Sequence, residues 1–373
     1  MPRPLKIFLL LPLVFASLQQ VLADVSVPSL ISDNMVLQQG YGSKIWGWAA
    51  PRERVVVTFR AKNYRTYAGR NGRWSISLDT LKPGGPNDLF ILGKNLLIIK
   101  NVMVGDVWLL AGNLGTATTS NLATPRNLAV TRVLQASTGK SSFARQDTEA
   151  RWLLPEAVTY SELVKGFARY YTHRQQVPLG LILLHHPARS PEAWMPPQVT
   201  EAALERWKQE AASNSGIQAR DIQPPLNWPG ATTTESIFLH SISPFVPASI
   251  RGMAWATANS PKEQTDSLYL QWKYAFPEFA SFLRQQWQQD SLLFVLQQYA
   301  LPADSQLHDT DKIPALQEAQ QALLKLPLTG IATVSATDLI AGDPAGAAIA
   351  ATAIATSSGQ QAVRVLSAQR NGP

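Results

Sequence analysis

The chain of 373 residues contains no cysteine. It can therefore form neither a disulfide nor a lipid anchor on an N-terminal cysteine, and its core alone must hold the fold together. Charged residues are also few, at 16% of the chain, whereas hydrophobic residues make up an ordinary 45%. Length and composition together predict a globular protein with ample apolar material, arranged as two domains or one large one.

Runs of basic residues are absent as well, although the formal net charge is +7 and the pI is near 9.6. An excess of cations can attract an anionic partner. The 33 lysines and arginines are scattered, however, and do not alternate with aromatic side chains as in a nucleic-acid-binding groove. The charge therefore predicts a basic surface and no nucleic-acid partner.

The first 23 residues have the pattern of an export signal. Arg3 and Lys6 form a positive start, residues 7–18 form an apolar stretch, and residues 21–23 resemble a cleavage site. The apolar stretch is shorter than the roughly 20 residues that a membrane span needs. We therefore expect a mature chain that begins near Asp24, is periplasmic or extracellular, and has no membrane contact after signal removal.

Two kinds of pattern follow the signal. Residues 24–103 contain only short strand-like segments between turn formers, which predicts a small N-terminal β-sandwich domain. Residues 104–373 alternate strands with helices, including a helix capped by Ser161 and an alanine-rich helix with small packing volume. Five buried strands are expected in this second domain, at 107–111, 179–184, 250–255, 292–297 and 331–334. The alternation predicts a three-layer α/β/α domain with a five-stranded parallel sheet.

The first of these five strands ends at Gly112, in a loop of small residues. Ligand sites of open α/β sheets form just beyond the carboxyl ends of the strands. Yet residues 112–120 contain no histidine, no carboxylate and no lysine. The sequence thus has the position of an active site without the usual catalytic side chains.

Nine short segments of the mature chain carry a family resemblance, among them the Val-Gly-Asp-Val-Trp strand at 104–108. They lie at 28–38, 46–49, 71–74, 84–86, 104–109, 177–182, 192–194, 250–255 and 318–320. In this order they resemble the sialate O-acetylesterase family of secreted carbohydrate esterases. The resemblance implies an SGNH-hydrolase-like (GDSL-like) fold, serine-dependent removal of acetyl groups from sugars, and no metal or organic cofactor.

The positions at which that family keeps its nucleophile carry other side chains here. The family motif Gly-Gln-Ser-Asn-Met falls on Gly112, Asn113, Leu114, Gly115 and Thr116. A serine can attack an acyl carbon because a neighbouring base removes its proton, whereas Leu114 has no nucleophilic atom. The resemblance therefore implies a protein whose side chain at the nucleophile position cannot act as a nucleophile.

The family's other catalytic segments are altered too. Its Trp-Gly-Gly-Thr segment falls on residues 186–189, where Pro187 has no N–H for an oxyanion and Arg189 ends the segment. The Gln and Glu of its third segment become Thr257 and Asn259. In its Asp-x-x-His-Pro segment, Asp343 stands at the position of the histidine base. We therefore favour an inactive relative, because nucleophile, base and oxyanion donors act as a unit.

Other interpretations stay open, among them a structural relic without a ligand and a chain whose alanine-rich end specifies the fold only weakly. An active esterase would need a substitute hydroxyl such as Thr116, activated by His185 or His186. A binding module would hold a glycan or an acetylated sugar through hydrogen-bonding side chains at the strand ends, namely Asn113, Arg189, Thr257 and Asn259. His185 and His186 also suggest metal ligands, but no acidic or third histidine ligand lies at a suitable spacing, and we expect no metal.

Overall fold

The computed structural model describes residues 24–115, 130–142, 147–155, 161–186, 191–224, 228, 237–257, 265–298, 313–334, 343–359 and 363–365. The predicted export signal, residues 1–23, lies outside these described residues. Among the helices within them, none is both long enough and apolar enough to cross a membrane.

The described strands and helices are numbered in chain order. The strands are β1 (Val36–Gln38), β2 (Gly42–Trp48), β3 (Arg54–Phe59), β4 (Lys62–Tyr67), β5 (Arg73–Thr80), β6 (Gly84–Leu92), β7 (Leu96–Gly112), β8 (Thr131–Ser142), β9 (Asp147–Leu153), β10 (Leu179–His185), β11 (Gly252–Ala256), β12 (Leu293–Gln297), β13 (Thr329–Thr333) and β14 (Val363–Val365). The helices are α1 (Glu162–Gln175), α2 (Pro197–Ser215), α3 (Thr265–Leu270), α4 (Phe276–Trp287), α5 (Ile313–Ala322) and α6 (Asp343–Ser357).

The main sheet has the strand order β14-β13-β12-β11-β7-β10-β8-β9. Neighbouring strands from β14 to β8 pair in parallel, and β9 pairs antiparallel with β8 at the edge. The predicted α/β class with a parallel sheet is therefore confirmed, and all five predicted strands are present.

The predicted number of strands was too small, since the sheet also contains β8, β9 and β14. The segment of β8 and β9 interrupts its apolar residues with polar ones, of which Thr131 and Arg132 are nevertheless buried. Three residues form β14, too few to show a period. Strands of this kind are specified by their partners in the sheet rather than by their own pattern.

Side chains of the sheet alternate between two helical layers. Trp108 and Leu110 of β7 pack in one buried cluster with residues of α1 and α6. Leu109 and Ala111 belong to the other cluster, with residues of α2, α4 and α5. Because neighbouring residues of a strand face opposite ways, these two clusters are the two faces of the sheet, and the domain has three layers.

Helices α1 and α6 approach each other closely on the first of these faces. A Cβ added to Gly346 would collide with the Leu163 carbonyl, and one added to Gly166 would collide with the Asp343 carbonyl. Around Gly346, most alanines of α6 are buried. The small side chains of this helix therefore fit a close helix contact, where larger ones would hold the two backbones apart.

Strand β7 is 17 residues long and belongs to both halves of the chain. Its first part pairs with β6 and β1, whereas residues 106–112 pair with β10 and β11. Beside it, β2 and β5 form a separate two-stranded sheet whose inner face enters the same core. The predicted boundary at 103/104 falls inside β7, and the division into domains 24–103 and 104–373 stays a prediction.

A buried polar group marks the point where β7 changes partners. The Asp106 carboxylate accepts a hydrogen bond from the Gln38 amide at 2.9 Å and another from the Tyr171 hydroxyl at 3.0 Å. Gln38 in turn accepts the Val107 backbone N–H at 2.8 Å. Burial, followed by the Asp106 charge, raises the pKa of Tyr171, which therefore stays a proton donor. These hydrogen bonds fix the register of β1 against β7 and the position of α1 on the sheet.

The close contact of α1 and α6 predicts that a glycine-to-alanine substitution within a helix lowers the stability of the protein instead of raising it. Gly346→Ala should destabilise the protein by about 1–3 kcal/mol, because the new methyl group must displace the α1 backbone. In an unconstrained helix the same change would stabilise by about 1 kcal/mol. Thermal unfolding measures the difference. Ser281→Ala on the exposed side of α4 is the control and should raise the melting temperature slightly; a Gly346→Ala protein as stable as the parent would contradict the packing described here.

Candidate functional site

Three adjacent strands end in one row at the carboxyl edge of the sheet. Gly112 of β7 pairs with His185 of β10 on one side and with Ala256 of β11 on the other. Since neighbouring strands lie about 4.8 Å apart, the row is about 10 Å wide. The residues that directly follow the row are Asn113, His186 and Thr257. Together, residues 112–115, 185–186 and 256–257 are called the carboxyl edge below.

Gly112 makes this arrangement possible. Its φ is +97°, in a region that side chains disfavour, and a Cβ there would collide with the Ala256 carbonyl oxygen. Two backbone hydrogen bonds of 3.0 Å then fix the strand ends, from Asn113 N–H to Ala256 and from His186 N–H to Gly112. The backbone of the edge is therefore held from both sides.

The loop after Gly112 folds against the start of α1. Asn113 accepts the Gly115 N–H through its side-chain oxygen at 3.2 Å, and a Cβ on Gly115 would lie 3.4 Å from the Ser161 side chain. Ser161 caps α1 by accepting the Val164 N–H, as predicted from the sequence. Leu114 is only 3% exposed and packs in the cluster beneath α1 and α6. The position that the resemblance aligns with the family's serine thus holds an apolar side chain that is part of the core.

The backbone N–H of Leu114 is also occupied. It donates a hydrogen bond to Nδ1 of His185 at 3.1 Å. Nδ1 must therefore carry a lone pair, which places the proton of a neutral imidazole on Nε2. Burial lowers the pKa of His185 and so favours this neutral form. In chymotrypsin-like proteases the N–H of the nucleophile is an oxyanion donor, whereas the Leu114 N–H donates to a histidine.

His186 lies among aromatic rings and beside a hydroxyl. Its ring meets Trp194 edge-on at 5.1 Å between centroids, and Trp194 meets Trp255 at 5.0 Å. Nε2 of His186 is 3.4 Å from Oγ of Ser241, which belongs to a short π-helical turn. The edge therefore brings a serine and a histidine within reach of each other.

Asp343, which the resemblance places at the position of the histidine base, has a charged partner. It begins α6 and forms an ion pair with Arg169 of α1. The two side chains are 31% and 48% exposed, so the pair contributes little to stability. It nevertheless holds the carboxylate against an arginine of the helical layer.

The structure brings together most of the predicted site residues that it describes. Gly112, Asn113, Leu114, Gly115, His185, His186 and Thr257 all lie at the carboxyl edge. Thr257 is 5% exposed, and its hydroxyl has no hydrogen-bond partner in the described part of the chain. Thr116, Arg189 and Asn259 lie outside the described residues. Within the described ranges, no three histidine, aspartate or glutamate side chains are grouped as metal ligands.

Two contributors, Arg169 and Ser241, were missed by the sequence reasoning. Their contacts join residues 174 and 55 positions apart, which no local pattern reveals. For Arg169 a signal existed, since glycines within α1 and α6 indicate close helices and would have placed Asp343 beside α1. For Ser241 we find no signal in the sequence.

Comparisons with known proteins agree with the resemblance. No family model matches the chain. The sialate O-acetylesterases of Homo sapiens and Pongo abelii are each 24% identical to it over 292 residues, which is 70% of this chain and 54% of theirs. The enzyme of Mus musculus is 24% identical over 302 residues. The chain thus spans about half the length of these curated relatives.

A solved structure shows the same fold. The carbohydrate acetylesterase of Xanthomonas citri superimposes with a TM-score of 0.69 at 23% identity, covering 91% of this chain and 77% of that one. The resemblance to sialate O-acetylesterases, predicted from nine segments of sequence, is thereby confirmed, and the fold is that of a carbohydrate esterase.

The hydrogen bond between Leu114 and His185 gives a prediction for stability. His185→Ala leaves the buried N–H without this acceptor and should destabilise the protein by about 1–3 kcal/mol. His185→Asn retains an acceptor oxygen on a shorter side chain and should destabilise the protein less. Thermal unfolding at pH 8 measures both, with His173→Asn at an exposed position of α1 as the control.

The same histidine predicts a pH dependence. Its pKa in the folded protein lies below the unfolded value of about 6.5, so the unfolded chain binds the extra proton first. This contribution is fully present above that value and is lost as the pH falls through the folded pKa. The melting-temperature difference between parent and His185→Asn should therefore shrink from pH 8 to pH 5. A difference that stays constant would show that His185 ionisation is not coupled to folding.

Proposed function

We propose that the protein is an exported, catalytically inactive relative of the carbohydrate esterases, which binds a sugar ester at its carboxyl edge without hydrolysing it. The observation that carries the proposal is Leu114, an apolar side chain buried at the nucleophile position with its N–H bonded to His185. Export is supported by the sequence pattern of residues 1–23.

Inactivity follows from three requirements of acyl transfer. The reaction needs a nucleophile, a base that takes its proton, and donors for the oxyanion. Leu114 supplies no attacking atom, its N–H is taken by His185, and Asp343 at the base position is paired with Arg169. Loss of the nucleophile alone removes most of the rate in a serine hydrolase, and further losses add little because the groups act together.

Binding is supported by the polar groups that remain at the edge. Asn113, His186 and Ser241 are partly exposed, and Thr257 holds a buried hydroxyl without a partner among the described residues. A few convergent hydrogen-bonding groups in a largely apolar surround are typical of sites for polar small molecules. Sugar hydroxyls and an acyl carbonyl are ligands of this chemistry.

A second candidate function is a residual esterase that uses Ser241 and His186. Their 3.4 Å separation is longer than the about 2.6–3.2 Å of an activated pair, although such contacts can tighten when substrate binds. This pair is an alternative to Thr116 as the source of a hydroxyl. It ranks second because the nucleophile would lie on a turn outside the row of strand ends.

Hydrolysis assays separate the two functions. With an aryl acetate and with O-acetylated sialic acid, we expect the purified protein to show no turnover above buffer, and Ser241→Ala to behave like the parent. Ser281→Ala, at an exposed position of α4, is the control, and Thr116→Val tests the other hydroxyl. Turnover that disappears in Ser241→Ala or Thr116→Val but persists in Ser281→Ala would refute the inactive relative.

Calorimetric titration tests the binding half of the proposal. Thr257→Val keeps the shape of the side chain and removes its hydroxyl, so affinity for a neutral O-acetylated sugar, 6-O-acetylglucose, should fall about five- to tenfold, as expected for one hydrogen bond. Thr80→Val, at an exposed position of β5, should bind like the parent. Equal affinity in Thr257→Val and the parent would exclude Thr257 from a ligand site.

A further inference from the structure

The two-stranded sheet of β2 and β5 has an unusual outer face. Its inner face is apolar, with Ile45, Trp74 and Ile76 buried in the core. The outer face alternates with it and carries two tryptophans: Trp46 lies opposite Ser75, and Trp48 lies opposite Arg73. The outer side chains that face a common space are Lys44, Trp46, Trp48, Arg73 and Ser75.

A cleft of about 530 Å³ lies over this outer face. Tyr67, at the end of β4, forms one wall and is 67% exposed, and Ser243 and Pro247 contribute to another. The volume falls within the range of about 300–1,000 Å³ that is typical of small-molecule sites. None of the residues assigned to the carboxyl edge lines this aromatic cleft, so its function does not depend on the one proposed above.

The two tryptophans of the cleft are only partly buried. A tryptophan in a strand is ordinarily there to be buried, as Trp74 is, whereas Trp46 and Trp48 keep part of their surface in contact with solvent. They lie two residues apart on one strand, about 7 Å along it, and so share a face instead of stacking on each other. Two indole rings side by side can each contact the apolar face of one sugar ring in an oligosaccharide, whose polar hydroxyls lie at the ring edges.

The charges around the aromatic cleft have one sign. Lys44 and Arg73 line it, and no carboxylate does. In the part of the chain that the structure describes, neither cation forms an ion pair, and the Lys44 ammonium contacts a neutral group, the Gln288 side-chain oxygen, at 3.5 Å. An arginine can hold a carboxylate through two parallel hydrogen bonds. The cleft therefore complements an anionic ligand.

We propose that the aromatic cleft is a binding site for an acidic saccharide, in which Trp46, Trp48 and Tyr67 contact sugar rings and Arg73 and Lys44 bind a sugar carboxylate. The hydroxyls of Thr66, Ser75 and Ser243 add groups that match sugar hydroxyls. Two cations are too few to follow a phosphate backbone, which favours a saccharide over a nucleic acid. The site is separate from the carboxyl edge.

Titration with defined probes tests this proposal. Sialyllactose and trigalacturonate are compared with the neutral sugars lactose and maltotriose, by tryptophan fluorescence and by calorimetry. We expect saturable binding of the acidic probes and weaker binding of the neutral ones. Arg73→Gln should lower affinity for the acidic probes about tenfold or more, as for one charge-assisted hydrogen bond, and leave the neutral ones unchanged. Arg70→Gln, at an exposed position outside the cleft, is the control.

The contribution of the aromatic side chains to sugar binding is tested first at Tyr67, because a substitution at this exposed position should disturb the fold least. Tyr67→Ala should weaken the binding of both acidic and neutral probes. Trp48→Ala should weaken their binding more strongly, provided that this variant retains the parent's melting temperature. Thr257→Val should leave this site unaffected, which separates it from the carboxyl edge. Absence of saturable acidic-sugar binding, affinities unchanged in both Arg73→Gln and Tyr67→Ala, or tighter binding of an oligonucleotide of equal charge would each overturn the proposal.

Discussion

Strand β7 is the constraint on which the rest of this structure depends. It pairs with β6 and β1 along its first part and with β10 and β11 along its last seven residues, so one continuous backbone sets the register of both halves. The buried Asp106 fixes the crossing point, because its carboxylate holds Gln38 of β1 and Tyr171 of α1 at once. A shift of β7 by one residue would turn every side chain to the opposite face and break this group.

That register determines what can stand at the carboxyl edge. Gly112 falls between His185 and Ala256, and its backbone conformation directs the next residues under the start of α1. A hydroxyl side chain at position 114 would be available at the carboxyl edge only if the loop left that position exposed. Here Leu114 completes the packing beneath α1 and α6, and its N–H is satisfied by His185. The residues at the carboxyl edge thus contribute to the packing of the domain.

Much of this could be predicted from the sequence, because strong local patterns specify it. The buried strands, the cap at Ser161 and the position of the loop after β7 all follow from apolar runs, a hydroxyl before a helix, and a glycine. Two contacts between distant residues could not be predicted from the sequence: the hydrogen bond from Leu114 to His185, and Ser241 beside His186. Strands β8 and β9 were missed for a related reason, since polar residues interrupt their pattern and the sheet supplies their stability.

The central claim is that the protein holds no activated nucleophile, neither at the carboxyl edge nor beside it. Its most direct test is covalent labelling with a fluorophosphonate, which reacts with the activated serine of a working hydrolase, followed by mass spectrometry of the intact protein. With an active serine esterase labelled in parallel, we expect the mass of this protein to remain unchanged. A stoichiometric adduct on any hydroxyl of the chain, Ser241 included, would contradict the claim.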